Sequence, residues 1–538
     1  MKTKKHIYKH LLVLVVSSLG STQMALAQDS AQRAAQRAGQ EKIASRSGPF
    51  SRFGITYQET CAVCHGEQLQ GAAQGTQLRG ELMHGDSVIE LARNIGTGFP
   101  DQGMPAWSEV FTQQQIKSMA LWISEYRNGM LYTDTQFNIN DELTIPAEAI
   151  ETELHDIRIE VVVDGLDPLP YSIASLPNGD ILLTEKIRGL RIISSSGEKS
   201  ELIQDTPKVY ADIPPDARPS GMLYGIGWLF DVTLHPRYAD NGWIYLHYTD
   251  RCSDCNELSR QSKRDVSMNA LVRGRIKDGR WVDEESIWKA PIESYTSVTD
   301  IAAGGRTAID PNGFVFISVG LKSIDGIQDL QSPHGKIHRV HDDGRIPTDN
   351  PFIDNMHAGN TIWSYGHRSP QGLVFNNKTR ELWGTEHGPR GGDEVNLLLP
   401  GRNYGWPAFS RGQNYDGTEV NHGRDDLELE FTDITQPIVD LTPSPAVSSL
   451  VFYEGDAFPE WRDDIIVGSL KAANLYRIEI ENNEFVRKET LISNLTRIRD
   501  VELGPGGIIY LLLEHSTGGQ IVRVVQSTSD DDGEVAQH

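Results

Sequence analysis

The chain has 538 residues, with 74 acidic against 50 basic side chains and a formal charge of −24. That length allows more than one domain and sizeable buried cores. The acidity excludes nucleic acid as a partner, because phosphates demand lysine and arginine; it reads as a solvated surface, with steering of a basic electron acceptor as a second use.

The N-terminus reads as a targeting segment. Lys2, Lys4, Lys5 and Lys9 form a basic head, Leu11 to Val16 start an apolar run too short to span a bilayer, and Ala25-Leu26-Ala27 is a small-residue cleavage site. Residues 1–27 are therefore expected to be a signal peptide, and loss of its four lysines takes the charge from −24 to −28. No cysteine follows the cleavage site to carry a lipid, and no later stretch qualifies as a membrane span. Residues 28–49, rich in Ala, Gln and Arg, are a helix-prone lead-in without an apolar stripe.

Residues 50–130 have the pattern of a small all-α domain. Phe53, Tyr57 and Cys61 recur at helical spacing, as do Val88, Leu91, Ala92 and Ile95; Val110, Ile116, Met119, Ala120 and Ile123 give a last helix its apolar face. Inside it lies Cys61-Ala62-Val63-Cys64-His65, the attachment pattern of a c-type haem. Each thiol can bond one haem vinyl group, and His65 would be the proximal iron ligand. Met104, in Gly103-Met104-Pro105, is the expected sixth ligand, with Met83 as the second choice. A zinc half-site is the alternative, but zinc wants a second such pair nearby and none is present. A cytochrome c domain of this kind carries electrons, and with the leader it predicts the periplasm.

Residues 131–152 read as a linker that can pack against one domain. From 153 to 527 short alternating strands replace helices. Turn clusters precede strands at Leu176-Pro177-Asn178-Gly179, Asp240-Asn241-Gly242, Asp310-Pro311-Asn312-Gly313, Asn376-Asn377-Lys378, Arg462-Asp463-Asp464 and Gly504-Pro505-Gly506-Gly507. Six such units predict a six-bladed β-propeller, with a solenoid or two β domains as alternatives. Ile157 to Val163 and Ile521 to Val525 are expected to close the ring within one blade. Cys252 and Cys255 form a second C-x-x-C, but Asn256 stands where a haem site needs histidine, so a loop disulfide is expected. Residues 528–538 are an acidic tail expected to be disordered. The fold class is thus mainly β: a six-bladed propeller with a small helical cytochrome domain in front.

From about 155 to 526 the chain resembles the soluble PQQ-dependent glucose and aldose sugar dehydrogenases. The resemblance rests on Leu234-His235-Pro236, Gly304-Gly305-Arg306, Gly335-Lys336-Ile337, Tyr365-Gly366-His367-Arg368-Ser369-Pro370-Gln371-Gly372, Glu386-His387-Gly388-Pro389-Arg390-Gly391-Gly392-Asp393-Glu394, Asn403-Tyr404-Gly405-Trp406-Pro407, Gly468-Ser469-Leu470-Lys471 and Arg497-Ile498-Arg499-Asp500. It implies that Lys471, Arg497 and Arg499 bind the carboxylates and quinone oxygens of PQQ, and that Arg368 polarises the quinone; guanidinium groups suit planar anions. It also implies a calcium ion held by the backbone carbonyls of Gly388 and Pro389. A second, structural calcium would sit at Glu394 and the Tyr404 carbonyl.

The chain departs from the family where a proton must be taken. The catalytic histidine position is Ala302, a glutamine position near the quinone is Ile226, and the residue after Arg368 is Ser369. Alcohol oxidation by hydride transfer needs a base. Asp300, expected to lie on an extended strand facing the same way as Ala302, and His334, in a rim loop, are the candidates. Two functions follow. One is a PQQ- and calcium-dependent dehydrogenase of a sugar, alcohol or aldehyde-type small molecule, feeding its own haem and then an external acceptor. The other is a ligand-binding propeller without sugar oxidation, attached to an electron-transfer cytochrome.

Overall fold

The computed structural model describes residues 51–130, 143–211 and 225–527. The expected signal peptide, lead-in and acidic tail lie outside these residues, as does the first part of the linker.

The front unit holds helices α1 (Ser51–Thr60), α2 (Ala62–His65), α3 (Val88–Thr97) and α4 (Gln113–Arg127). Two of them start at reciprocal caps. Ser87 Oγ accepts from the Glu90 N–H while the Glu90 carboxylate accepts from the Ser87 N–H, and Thr112 and Gln115 do the same for α4. Phe53, Tyr57, Leu91, Ile95, Ile116, Met119 and Ile123 form one buried cluster, each large side chain worth about 1.5–3 kcal/mol on burial. Val110 does not share the apolar face expected of it: it precedes α4 and is 66% exposed.

Behind this unit six antiparallel sheets form a ring, five of four strands and one of three among the described residues. Their first strands are Pro170–Ser175, Leu229–Leu234, Gly304–Ile309, Pro370–Asn376, Val447–Phe452 and Arg497–Leu503. Each neighbours the next, and the sixth neighbours the first, so the sheet closes on itself as a six-bladed propeller rather than running on as a solenoid. Each of the six turn clusters leads into the second strand of its blade: Ile181–Glu185, Ile244–Cys252, Phe314–Val319, Glu381–Glu386, Ile465–Ser469 and Ile509–Glu514. Closure joins the chain ends, as the spacing predicts: Ile157–Leu166 pairs antiparallel with Gly519–Gln526, from Ile157 opposite Gln526 to Leu166 opposite Gly519. The described part of the linker packs Leu143, Ile145 and Ile150 against the core of this last blade. Cys252 and Cys255 are joined in a disulfide.

Gly-Gly-Arg turns out to be an axial hub. Gly305 has φ +101°, and a Cβ there would meet the Phe230 ring at 2.6 Å, so only glycine lets the strand pass. The next residue, Arg306, is 4% exposed. It reaches Asp231 of blade two at 3.1 Å and Asp500 of blade six at 2.8 Å, and donates to the carbonyls of Gln371 and Arg499 at 2.8 and 3.2 Å. One cation thus binds blades two, three, four and six together.

Candidate active site and haem cavity

Cys61 and Cys64 are both free thiols on the wall of a cavity of about 420 Å³. His65 Nδ1 lies 2.8 Å from the Thr76 carbonyl. A carbonyl only accepts, so Nδ1 carries the proton and Nε2 keeps its lone pair for a metal, the arrangement that orients ligating histidines. Met104 lines the same cavity, pinned by paired backbone hydrogen bonds with Phe99. Met83 also borders it but is 90% exposed. Two thiols, an oriented imidazole, a thioether and an apolar wall fit a covalently attached haem.

The second site is built where strands of blades one, four, five and six end on one face. Arg497, Arg499, Lys186 and Glu514 line a small axial cavity of about 60 Å³ with Tyr171, Trp228 and Gln371. Glu514 lies 2.5 Å from Arg499, 3.7 Å from Arg497 and 3.7 Å from Lys186. Burial pushes its carboxyl up, but Arg499, Lys186 and Arg497 overcome this and hold it at about 2. Three cations against one carboxylate leave a positive surplus suited to an anion. The cavity has room for a carboxylate arm, not for a three-ring body. Burial pulls the Lys186 ammonium down to about 7, with Arg499 and Arg497 in the same sense and Glu514 opposing.

The sequence reading missed Lys186 and Glu514. A signal was present: Thr184-Glu185-Lys186, Thr385-Glu386-His387 and Leu513-Glu514-His515 recur at the end of the second strand in blades one, four and six. That repeat ends three second strands on a glutamate followed by a lysine or histidine.

From the cavity a polar chain runs outward. Arg499 donates to Gln371 Oε1 at 3.4 Å, and Gln371 Nε2 to Ser369 Oγ at 3.0 Å. Beside Ser369, Arg368 donates from Nη1 to the carbonyls of His387 and Gly388 at 3.1 and 2.9 Å. Its buried Nε has no hydrogen-bond partner. Gly388 N–H in turn donates to Asp393 at 3.0 Å. Lys471 lies beside this segment, its ammonium 3.9 Å from Glu125 of α4; burial lowers its pKa, and Glu125 and Asp393 oppose. Arg368 and Lys471 therefore flank the 388–393 segment, while Arg497 and Arg499 hold the axial cavity next to it.

Among the described residues no three His, Cys, Asp or Glu side chains come together as a metal site. The expected calcium positions rest on other donors. The Gly388 carbonyl already accepts from a cation, Arg368, so its oxygen faces a place where positive charge is welcome; Pro389 follows it and is buried. Glu394 is the cross-strand partner of Glu386 on one side and Asp440 on the other. Burial and Glu386 push its carboxyl up to about 8. Tyr404 stacks on His367, which is 3.0 Å from Glu386. A cation would relieve this crowding of carboxylates.

Both candidate bases need correction. Asp300 is not on an extended strand: residues Asp300–Ala302 form a single 3₁₀ turn, so the alternation expected for a strand does not apply. Asp300 borders the axial cavity, but its side chain is 0% exposed and its carboxylate is enclosed by Lys322 at 2.5 Å, Ser267 at 2.9 Å, the Gly227 N–H at 2.7 Å and Thr249. It ties the 225–228 loop to its blade. His334 donates from Nε2 to the Ser294 carbonyl at 3.1 Å and is 4% exposed. Burial, with Lys322 and Lys336 nearby, lowers it to about 4, and it is not among the residues lining the axial cavity. Lys336 of Gly-Lys-Ile donates to the carbonyls of Gly326, Ile327 and His334, anchoring that loop.

Comparison with known proteins agrees with both halves. Residues 168–523 match the glucose/sorbosone dehydrogenase family, and residues 52–123 match a family described as cytochrome c oxidase, cbb3-type, subunit III. Aldose sugar dehydrogenase YliI of Escherichia coli is 33% identical over 367 residues, covering 67% of this chain and 91% of the relative. Quinoprotein glucose dehydrogenase B of Acinetobacter calcoaceticus is 23% identical over 472 residues, 72% of this chain and 90% of the relative. The apo crystal structure of the soluble aldose sugar dehydrogenase from Escherichia coli superposes with a TM-score of 0.59 at 31% identity, over 69% of this chain and all of that one. The six-bladed ring and these matches together make the chain a member of the glucose/sorbosone dehydrogenase family with a cytochrome c domain at its front.

Proposed function

We propose that the chain is a periplasmic quinohaemoprotein dehydrogenase that oxidises a sugar, alcohol or aldehyde-type substrate with PQQ and passes the electrons to its own haem c, from which an external acceptor takes them. The observation that carries this reading is the gathering of Arg368, Lys471, Arg497 and Arg499 around the 388–393 segment and axial cavity, in a family whose named relatives include aldose sugar and quinoprotein glucose dehydrogenases. The leader at 1–27, the haem c motif and the disulfide support the periplasm.

When bound, PQQ supplies a two-electron acceptor for hydride. The chain supplies charge and order. Arg497, Arg499 and Lys471 would neutralise carboxylates, and the partnerless Nε of Arg368 has a donor to give a quinone oxygen. The Gly388 and Pro389 carbonyls would share a calcium ion with the cofactor, and Glu394 with the Tyr404 carbonyl would hold the structural one. With Ala302 inert and Asp300 enclosed, Lys186 on the wall of the axial cavity would add to the positive charge of Arg497 and Arg499 that faces a cofactor carboxylate. Ile226 and Ala302 replace polar family residues and favour a substrate less polar than glucose.

The reading of a propeller that binds a ligand without oxidising it draws on the same missing histidine. One experiment separates the two. The purified holo-cytochrome is loaded with PQQ and calcium, then offered sugars, alcohols and aldehydes while the haem spectrum is followed. Haem reduction that requires both PQQ and a substrate is expected. PQQ binding with no reduction by any substrate favours the second reading, and no PQQ binding removes PQQ and its calcium from either reading.

A further inference from the structure

Helix α4 has two working faces. Ile123 lines the haem cavity, and Ile116 and Met119 join it in the cytochrome core. Gln114, Ser118, Leu121 and Glu125 recur at spacings of four, three and four, which puts them on one stripe, and that stripe lies on the propeller. Gln114 donates to Gln413 at 3.1 Å and to the Gly417 carbonyl at 2.8 Å; Ser118 donates to Gln413 at 2.8 Å. Neighbouring Lys117 reaches the Gly412 carbonyl at 3.2 Å. Leu121 lies against Gly391, where a Cβ would come within 3.5 Å of it, and Phe53 of α1 lies against Gly417, where a Cβ would collide with its ring at 2.5 Å.

The centre of this contact is ionic. Glu125 meets Arg390 through two hydrogen bonds, at 2.7 and 3.3 Å, and both side chains are 1% exposed. Arg390 belongs to the 388–393 segment and exchanges backbone hydrogen bonds with Gln413 at 3.1 and 2.9 Å. The same Glu125 carboxylate lies 3.9 Å from Lys471. A helix with its side chains is about 10–12 Å across, so one helix thickness separates the haem cavity from the segment that flanks the proposed quinone site.

We propose that α4 is the electron bridge of this protein, and that the buried Glu125–Arg390 pair is a positioning device that seats the cytochrome over the 388–393 segment. The inference deepens the dehydrogenase reading and rests on it for the origin of the electrons. Oxidation of one substrate molecule releases two electrons and two protons. The electrons cross α4 singly, each turning one ferric haem ferrous, an external one-electron acceptor reoxidises the iron between crossings, and the protons leave to solvent.

The test compares wild type with Glu125→Gln, and with Gln114→Ala/Lys117→Ala as a gentler pair at the same face. Hydrogen exchange is measured on the quinone-free holo-cytochrome. Protection of α4 and of 388–393 is expected to fall about tenfold or more in E125Q and less in the double variant; unchanged protection in both overturns the docking. The same proteins are then loaded with PQQ and mixed with substrate. Haem reduction is expected to slow severalfold in the double variant while its turnover with a diffusible dye, which takes electrons from the propeller directly, stays the same; in E125Q haem reduction slows about tenfold relative to dye turnover by the same protein. Haem reduction at the wild-type rate, with protection lost, overturns the bridge. Wild type that reduces neither dye nor haem refutes the dehydrogenase reading instead, and the exchange result then decides the docking alone.

Discussion

Replacing Arg306 with methionine removes the cation that two buried carboxylates share. Asp231 and Asp500, with side chains 7% and 5% exposed, lose partners at 3.1 and 2.8 Å, and the carbonyls of Gln371 and Arg499 lose a donor each. Breaking a buried pair from one side costs about 3–5 kcal/mol, and the stranded carbonyls add to this at about 1 kcal/mol each. At about 2 cal/mol/K of unfolding entropy per residue, a propeller of this size changes by roughly 0.8 kcal/mol per degree, so a loss of about 5 kcal/mol lowers its Tm by about 6 °C. Differential scanning calorimetry of R306M against wild type measures this. The defect has a pH signature. Burial already pushes the Asp231 carboxyl up, and Arg306 holds it back; without the guanidinium its folded pKa rises well above the unfolded value near 4. A raised carboxyl destabilises the fold above its unfolded pKa, so the gap between R306M and wild type shrinks as pH falls from 7 towards 4.5. Adding D231N and D500N to R306M recovers more than half of the loss. R306M melting within about 1 °C of wild type at pH 7, or a gap that widens on acidification, refutes the hub.

Asp300→Asn strands the fully buried Lys322 ammonium and lowers stability by about 3–5 kcal/mol, read as a Tm loss in the quinone-free protein; unchanged stability with selective loss of turnover would restore Asp300 as a base. Lys186 is charged below about pH 7 and neutral above it. PQQ affinity of the cofactor-free protein therefore falls as pH rises from 6 to 8.5, by about tenfold per 1.4 kcal/mol of lost attraction, and in Lys186→Met fluorescence titration gives a weaker, flatter profile. Met104→Ala lowers the haem reduction potential, whereas Met83→Ala, at a 90% exposed position, leaves it unchanged; spectroelectrochemistry separates them.

Much of this protein can be read without coordinates because its signals are local. Cys61, Cys64 and His65 sit within one helical turn and a half, so their spacing alone carries the haem chemistry. The six turn clusters each announce one second strand, since a tight hairpin needs Asn, Asp or Gly at positive φ wherever it lies in the fold. Arg497 and Arg499 are two apart on one strand, but that Arg368 and Lys471 belong with them is legible only through family resemblance, because they lie more than 25 positions from that pair and from each other.

What sequence alone determined is the list of parts: a cytochrome c domain, six blades and a set of cations singled out by family resemblance. Tertiary structure decided their use. Asp300 has the spacing of a base, yet a 3₁₀ turn and Lys322 bury it as a structural anion. Arg390 and Glu125 are 265 residues apart and become one buried ion pair. Such outcomes depend on which charges the closing ring and the docked helix bring within a few ångströms, and on the water they exclude, and neither quantity is written in any local stretch of chain.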